Sequence, residues 1–172
     1  MAKPISKKYR KLIETAKAAR KKAYSPYSRY QVGAAVLTES GRIYSGANME
    51  NASYGLCMCA ERVAIANAVT RGEKVLQAVC VVGKKARPCG ACRQVMLEFS
   101  TKETELLMVD IDPNARRDTV IRTRVYSMLP NPFDPFESGM LPQHPQNLLR
   151  RRKSPQPRRK RRSRPVHREV SR

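Results

Sequence analysis

A chain of 172 residues, 41% of them hydrophobic, is long enough for one domain with its own core and too short for two independent ones. No run approaches the roughly 18 apolar residues of a membrane-crossing helix, and Met1-Ala2-Lys3-Pro4-Ile5 lacks the apolar stretch of a secretion signal, so a cytoplasmic protein with no membrane partner is expected. The formal charge of +21 suggests a polyanion partner only in part, because residues 144–172 carry twelve Lys/Arg against one acid and so hold about half of the excess.

In chain order, residues 5 to 22 place Ile5, Tyr9, Leu12, Ile13 and Ala16 at the spacing of one helix face, with Lys and Arg on the remainder. A basic amphipathic first helix is predicted there, broken by Ser25-Pro26-Tyr27-Ser28. Val32 to Leu37 and Arg42 to Ser45 are short apolar or β-branched runs on either side of Thr38-Glu39-Ser40-Gly41, whose Ser-Gly pair signals a hairpin turn. Ala60 to Val69 has helical composition and stops at Arg71-Gly72, a cation followed by a terminating glycine. Val75 to Val82 is a nearly continuous apolar strand of the kind buried on both faces. Gly90 to Phe99 reads as another helix, and Leu106 to Asp110 and Val120 to Val125 as the last two strands.

This order of elements predicts an α/β fold, a three-layer α/β/α domain with a central mixed five-stranded sheet over residues 1–140. From Pro130 onward Pro, Ser, Gln and Arg take over, with Arg150-Arg151-Arg152-Lys153 and Arg158-Arg159-Lys160-Arg161-Arg162. Such a segment cannot bury enough apolar surface to offset the entropy of ordering, so residues 141–172 are expected to be a disordered basic tail.

The five cysteines stand at 57, 59, 80, 89 and 92. Their odd number, without a secretion signal, argues against a disulfide framework and for metal chemistry. Cys80, inside Val79-Cys80-Val81-Val82, reads as a small buried hydrophobe. Cys59-Ala60-Glu61-Arg62 and Pro88-Cys89-Gly90-Ala91-Cys92-Arg93 each open a predicted helix. Unpaired N–H groups at a helix start favour thiolate, the form that binds zinc. The C-x-x-C pair offers two ligands from one turn, and a cysteine of the other helix completes a three-sulfur site with an open corner for an acidified water. Glu61 is then placed to shuttle protons, and the motif follows zinc deaminase logic with Cys59 in place of histidine. Three thiolates leave the site negative, which makes Arg62 the candidate cation beside the sulfurs. The plainer alternative is a structural four-sulfur zinc site that adds Cys57; it strains the C-x-C spacing and leaves Glu61 idle.

The runs Tyr24-Ser25-Pro26-Tyr27-Ser28, Val32-Gly33-Ala34-Ala35, Asn51-Ala52-Ser53-Tyr54-Gly55, Cys59-Ala60-Glu61-Arg62 and Pro88-Cys89-Gly90-Ala91-Cys92-Arg93-Gln94 together resemble the short, homotetrameric cytidine deaminases, from about residue 7 to Phe133. The resemblance implies hydrolysis of cytidine and 2′-deoxycytidine to the uracil nucleosides and ammonia in pyrimidine salvage. It implies one Zn2+ per chain on Cys59, Cys89 and Cys92, with Glu61 as the acid/base. By the same resemblance Asn48 and Glu50 hold the sugar 3′-hydroxyl and the Ala60 N–H orients the base. Tyr30, Phe in many relatives, lies against the pyrimidine, and Phe133 reaches into a neighbouring subunit's site. The basic tail is the clearest departure, and non-specific polyanion binding is one use for it. Two other functions stand beside this one: a deaminase of another aminopyrimidine or of a polymer, and a basic nucleic-acid-binding protein whose deaminase-like domain is a scaffold.

Overall fold

In a computed structural model, residues 5–112 and 117–141 are described. Helix α1 spans Lys7–Arg20, strands β1 and β2 span Gly33–Thr38 and Ile43–Ala47, α2 spans Ala60–Val69, β3 Leu76–Gly83, α3 Gly90–Glu98, β4 Ser100–Asp110 and β5 Thr119–Arg124. Among the described residues the strands form one five-stranded sheet in the order β2-β1-β3-β4-β5. Only β3 and β4 pair in parallel there; the other neighbours are antiparallel. This is the expected mixed sheet, with each predicted element in place. The expected disordered tail lies, from residue 142 onward, outside the described residues.

The strand alternation divides the core into two layers. Val79 and Val81 of β3 point toward α2 and α3, where they meet Ala64, Ile65, Ala68, Cys92 and Met96. Ala78, Cys80 and Val82 point to the other face and meet Leu12, Ile13 and Ala16 of α1. The sheet is therefore covered on both sides, and β3 is the buried central strand that its apolar run predicts. Cys80 is fully buried, and burial pushes its thiol up to about 12, so it serves as packing.

Two glycines set how closely the helices approach. A Cβ on Gly33 would lie 2.2 Å from the Ala16 carbonyl oxygen of α1, and one on Gly46 would lie 2.5 Å from the Ala64 nitrogen of α2. Gly41, at φ +84°, closes the β1–β2 turn, as the Ser-Gly pair predicts.

The boundaries differ from the sequence expectation at several ends. Helix α1 ends at Arg20 rather than at residue 22, where the Lys22 and Ala23 N–H groups donate to the carbonyls of Ala19 and Arg20 and the helix tightens into a turn. Strand β4 begins at Ser100 rather than Leu106. Its polar first half stays in the sheet because Thr104, buried, donates through Oγ1 to the Leu76 carbonyl at 2.7 Å and accepts from the Thr101 N–H at 2.8 Å. Side-chain hydrogen bonds replace the ladder where the register with β3 jumps from Leu76↔Ser100 to Ala78↔Glu105.

Candidate active site

Helices α2 and α3 both begin at one corner of the molecule, because each follows a segment that leaves the sheet there. Cys59 is the N-cap of α2 and Cys89 the N-cap of α3, both with extended backbone and neither using its sulfur to cap its own helix. Their sulfurs are thus directed across the gap between the helices. The Cys59 and Cys89 Sγ atoms are 3.9 Å apart, those of Cys89 and Cys92 3.5 Å, and all three lie within 4.8 Å of one another.

Cys57 does not join them. Its Sγ accepts from the Asn51 N–H at 3.3 Å and faces the Asn51 carbonyl at 3.7 Å, closing the loop that precedes α2. Among the described residues the one cluster able to hold a metal is Cys59, Cys89 and Cys92, so the four-sulfur alternative is not the arrangement formed.

The electrostatics of the cluster suit a cation. The Cys59 thiol is held down to about 5, first by its hydrogen bond with Cys92, with Cys89 and the Arg62 charge acting the same way and burial acting against. The Cys92 thiol moves up, through the same bond with Cys59 and through burial. Thiols that share protons at this distance are groups whose protons a divalent ion would displace on binding. Three soft thiolates from two helix starts are a zinc donor set, and their number leaves one of zinc's four tetrahedral positions for solvent. Arg62, beside them, donates through Nη2 to the Cys57 carbonyl at 2.8 Å, while its Nε is buried without a partner. The Arg62 charge and its side-chain hydrogen bond are among the causes that hold the Cys59 thiol down.

Glu61 lies in the first turn of α2 and is 4% exposed. Burial moves its carboxyl above the ordinary value, and the negative charge at Cys59 adds to that, against the opposing effects of its own backbone N–H, Cys92 and Arg62. It borders a cleft of about 550 Å³ whose walls include Tyr30, Asn48, Glu50, Ala60, Cys59 and Cys89, a volume within the range of small-molecule sites. All the residues singled out from the sequence except Cys92, Arg62 and Phe133 therefore line one cavity.

The remaining groups are held by backbone. Asn48 accepts from the Val32 N–H at 2.8 Å and donates to the Tyr30 carbonyl at 2.9 Å, which fixes its amide at the cleft wall with one N–H and one lone pair left over. Glu50 accepts from the N–H groups of Tyr27 at 2.9 Å and Ser28 at 3.2 Å and from the Ser28 hydroxyl; that hydroxyl is the main reason its carboxyl lies below the ordinary value. The Tyr30 hydroxyl donates to the Lys84 carbonyl at 2.8 Å, so the group that departs from the Phe of many relatives ties the cleft wall to the loop leading into Cys89. Ala60 is fully buried at the start of α2. Phe133 is outside this cleft, 61% exposed as a residue, with its carbonyl accepting from Gln94 Nε2 at 2.7 Å.

Sequence reasoning gave no role to Ser28, Arg87, Tyr54 or Gln94. Ser28, Tyr54 and Gln94 fall inside runs that carry the resemblance, which was the available signal. Arg87 lines the cleft with nothing in its surroundings to announce it.

Comparison with known proteins agrees with this geometry. The family profile described as "Cytidine and deoxycytidylate deaminase zinc-binding region" matches residues 6–108. A cytidine deaminase of Halalkalibacterium halodurans is 46% identical over 112 residues, covering 63% of this chain and 85% of the relative, and one of Sporosarcina psychrophila is 40% identical over 126 residues, covering 72% and 89%. Among solved structures, the cytidine deaminase of Burkholderia pseudomallei superposes with a TM-score of 0.67 at 44% identity, over 73% of this chain and 98% of that one. That of Mycobacterium tuberculosis gives 0.61 at 37% identity, over 73% and 97%. Because the profile runs across well over half of the sequence and the relatives align along most of their own length, the chain belongs to the cytidine deaminase family.

Proposed function

We propose that this protein catalyses the zinc-dependent hydrolytic deamination of cytidine and 2′-deoxycytidine to uridine and 2′-deoxyuridine, releasing ammonia, as a cytoplasmic enzyme of pyrimidine salvage. The observation that carries this reading is the meeting of three sulfurs from two helix N-termini with one buried carboxyl at the edge of a nucleoside-sized cleft. Cys59, Cys89 and Cys92 would hold one Zn2+ per chain, and zinc so bound supplies a water acidic enough to attack near neutral pH.

Glu61 does the proton work. It takes a proton from the attacking water and passes it to the ring nitrogen of the pyrimidine, then takes the proton remaining on the added oxygen and delivers it to the amino group, so that the C–N bond at carbon 4 breaks, ammonia leaves and the carbonyl forms. Its burial favours the protonated form at the moment it must carry a proton. The Ala60 N–H, at the unpaired start of α2, orients the base, and the Tyr30 ring lies against it. Asn48 and Glu50, already aligned by backbone hydrogen bonds, take the sugar 3′-hydroxyl with their remaining capacity. Arg62 offsets the charge of the three sulfurs.

Phe133, exposed on its own subunit, would enter the cleft of a neighbouring copy in a homotetramer, which completes the active site. The basic segment 144–172 would hold the enzyme near polyanions by phosphate contacts that read no sequence. Among the described residues no helix is long and apolar enough to cross a membrane.

Glu61→Gln tests the core of this reading. The variant should retain one zinc per chain and lose turnover of cytidine by about 10²-fold to 10⁴-fold, the worth of a positioned proton carrier. Parental turnover in that variant would remove Glu61 from the mechanism.

A further inference from the structure

We infer that Gln94 is a positioning residue that presents Phe133 to a neighbouring copy of the chain, an inference that rests on the proposed entry of Phe133 into that neighbour's cleft. The segment after β5 starts from Val125, buried in the core, and Met128, which packs against it. It forms a short 3-10 turn at Tyr126–Met128, passes Asn131 in a left-handed conformation at φ 45°, and starts a new turn at Asp134, whose Oδ1 accepts from the N–H groups of Phe136 and Glu137. Between those turns the chain is attached to α3. Arg93 donates through Nη1 to the Met128 carbonyl at 3.0 Å and through Nε to the Pro88 carbonyl at 2.9 Å, and Gln94 donates through Nε2 to the Phe133 carbonyl at 2.7 Å.

Two consecutive residues of the helix that begins at Cys89 thus hold both ends of the stretch 128–133. Phe133 remains 61% exposed while its carbonyl is held. A large apolar residue left mostly in solvent on a fixed backbone is available to a neighbour. The clamp comes from the same helix that bears Cys89 and Cys92, so the metal-binding end of one subunit and the aromatic that it offers to the next are rigidly related.

The sequence contains no tryptophan, which provides a direct reporter. In full-length, zinc-loaded Phe133→Trp protein the single tryptophan should emit as a buried indole. Adding Gln94→Glu, isosteric but without the N–H donor, should move the emission to the red and lower its anisotropy, with zinc per chain unchanged. In the Phe133 background, Gln94→Glu should raise KM for cytidine by roughly three- to tenfold, the scale of one hydrogen bond. Gln94→Met, which keeps the length and removes the amide, repeats the test should the carboxylate disturb folding. Fully solvated emission with Gln94 intact would defeat the entry of Phe133 into a neighbour and this inference with it. Buried emission that neither Gln94 variant alters, with KM at the parental value, would overturn the positioning role alone.

Discussion

Three thiols gathered within 4.8 Å cannot all ionise without a cation among them: the hydrogen bond between Cys59 and Cys92 holds the first thiol down and pushes the second up. Zinc bound there would hold three thiolates, and Arg62, whose charge helps to hold the Cys59 thiol down, is the cation proposed to balance them. The Glu61→Gln prediction follows at this scale, because the amide keeps the shape of the side chain and loses only its capacity to carry a proton. Cys59, Cys89, Cys92 and Glu61 were legible in the sequence, since thiols at helix starts and a carboxyl two residues on have few other uses. Cys57 was legible only as an alternative; its hydrogen bonds with Asn51 decide against it, and no spacing rule foretells a loop closed by a sulfur. The tether from the Tyr30 hydroxyl to Lys84 was not legible either, because it joins positions 54 residues apart.

At the scale of elements the helices and strands announce themselves by period. Leu12, Ile13, Ala16 and Ala19 are the buried stripe of α1, and β3 is apolar because both of its faces are covered. The polar half of β4 escaped, since Thr101 to Glu105 reads as a loop until Thr104 is seen bonding to β3. Also hidden in the sequence was the reason for Gly46. A Cβ there would lie 2.5 Å from the Ala64 nitrogen and 2.8 Å from the Ala60 carbonyl oxygen, inside the backbone of α2. Gly46→Ala must push away the helix that begins at Cys59 and carries Glu61. Overpacking of this kind costs about 1–3 kcal/mol, so melting should fall by roughly 2–10 °C, and turnover should fall with it. A parental melting temperature in a calorimetric scan would show that α2 does not press on β2 as described.

For the whole molecule, the family profile matches residues 6–108 and the basic segment 144–172 lies beyond it; the proposal is that catalysis does not need that segment. Removal of residues 144–172 should leave cytidine turnover within about twofold of the parent and abolish DNA binding that weakens steeply with added salt. Lost turnover, or unchanged DNA binding, in the shortened protein would join the two parts instead. The fold was legible because its helices and strands are marked by apolar runs of distinct period. The entry of Phe133 into a neighbouring subunit is a proposal that came from the resemblance, and its exposure and its bond with Gln94 support it. Everything above depends on a metal held by three sulfurs with one place left for solvent. The zinc-edge X-ray absorption of the purified enzyme measures this directly. It should show three sulfur neighbours at about 2.3 Å and one oxygen neighbour at about 2.0 Å, in the parent and in Cys57→Ser alike; four sulfurs, or no zinc in active protein, would contradict it.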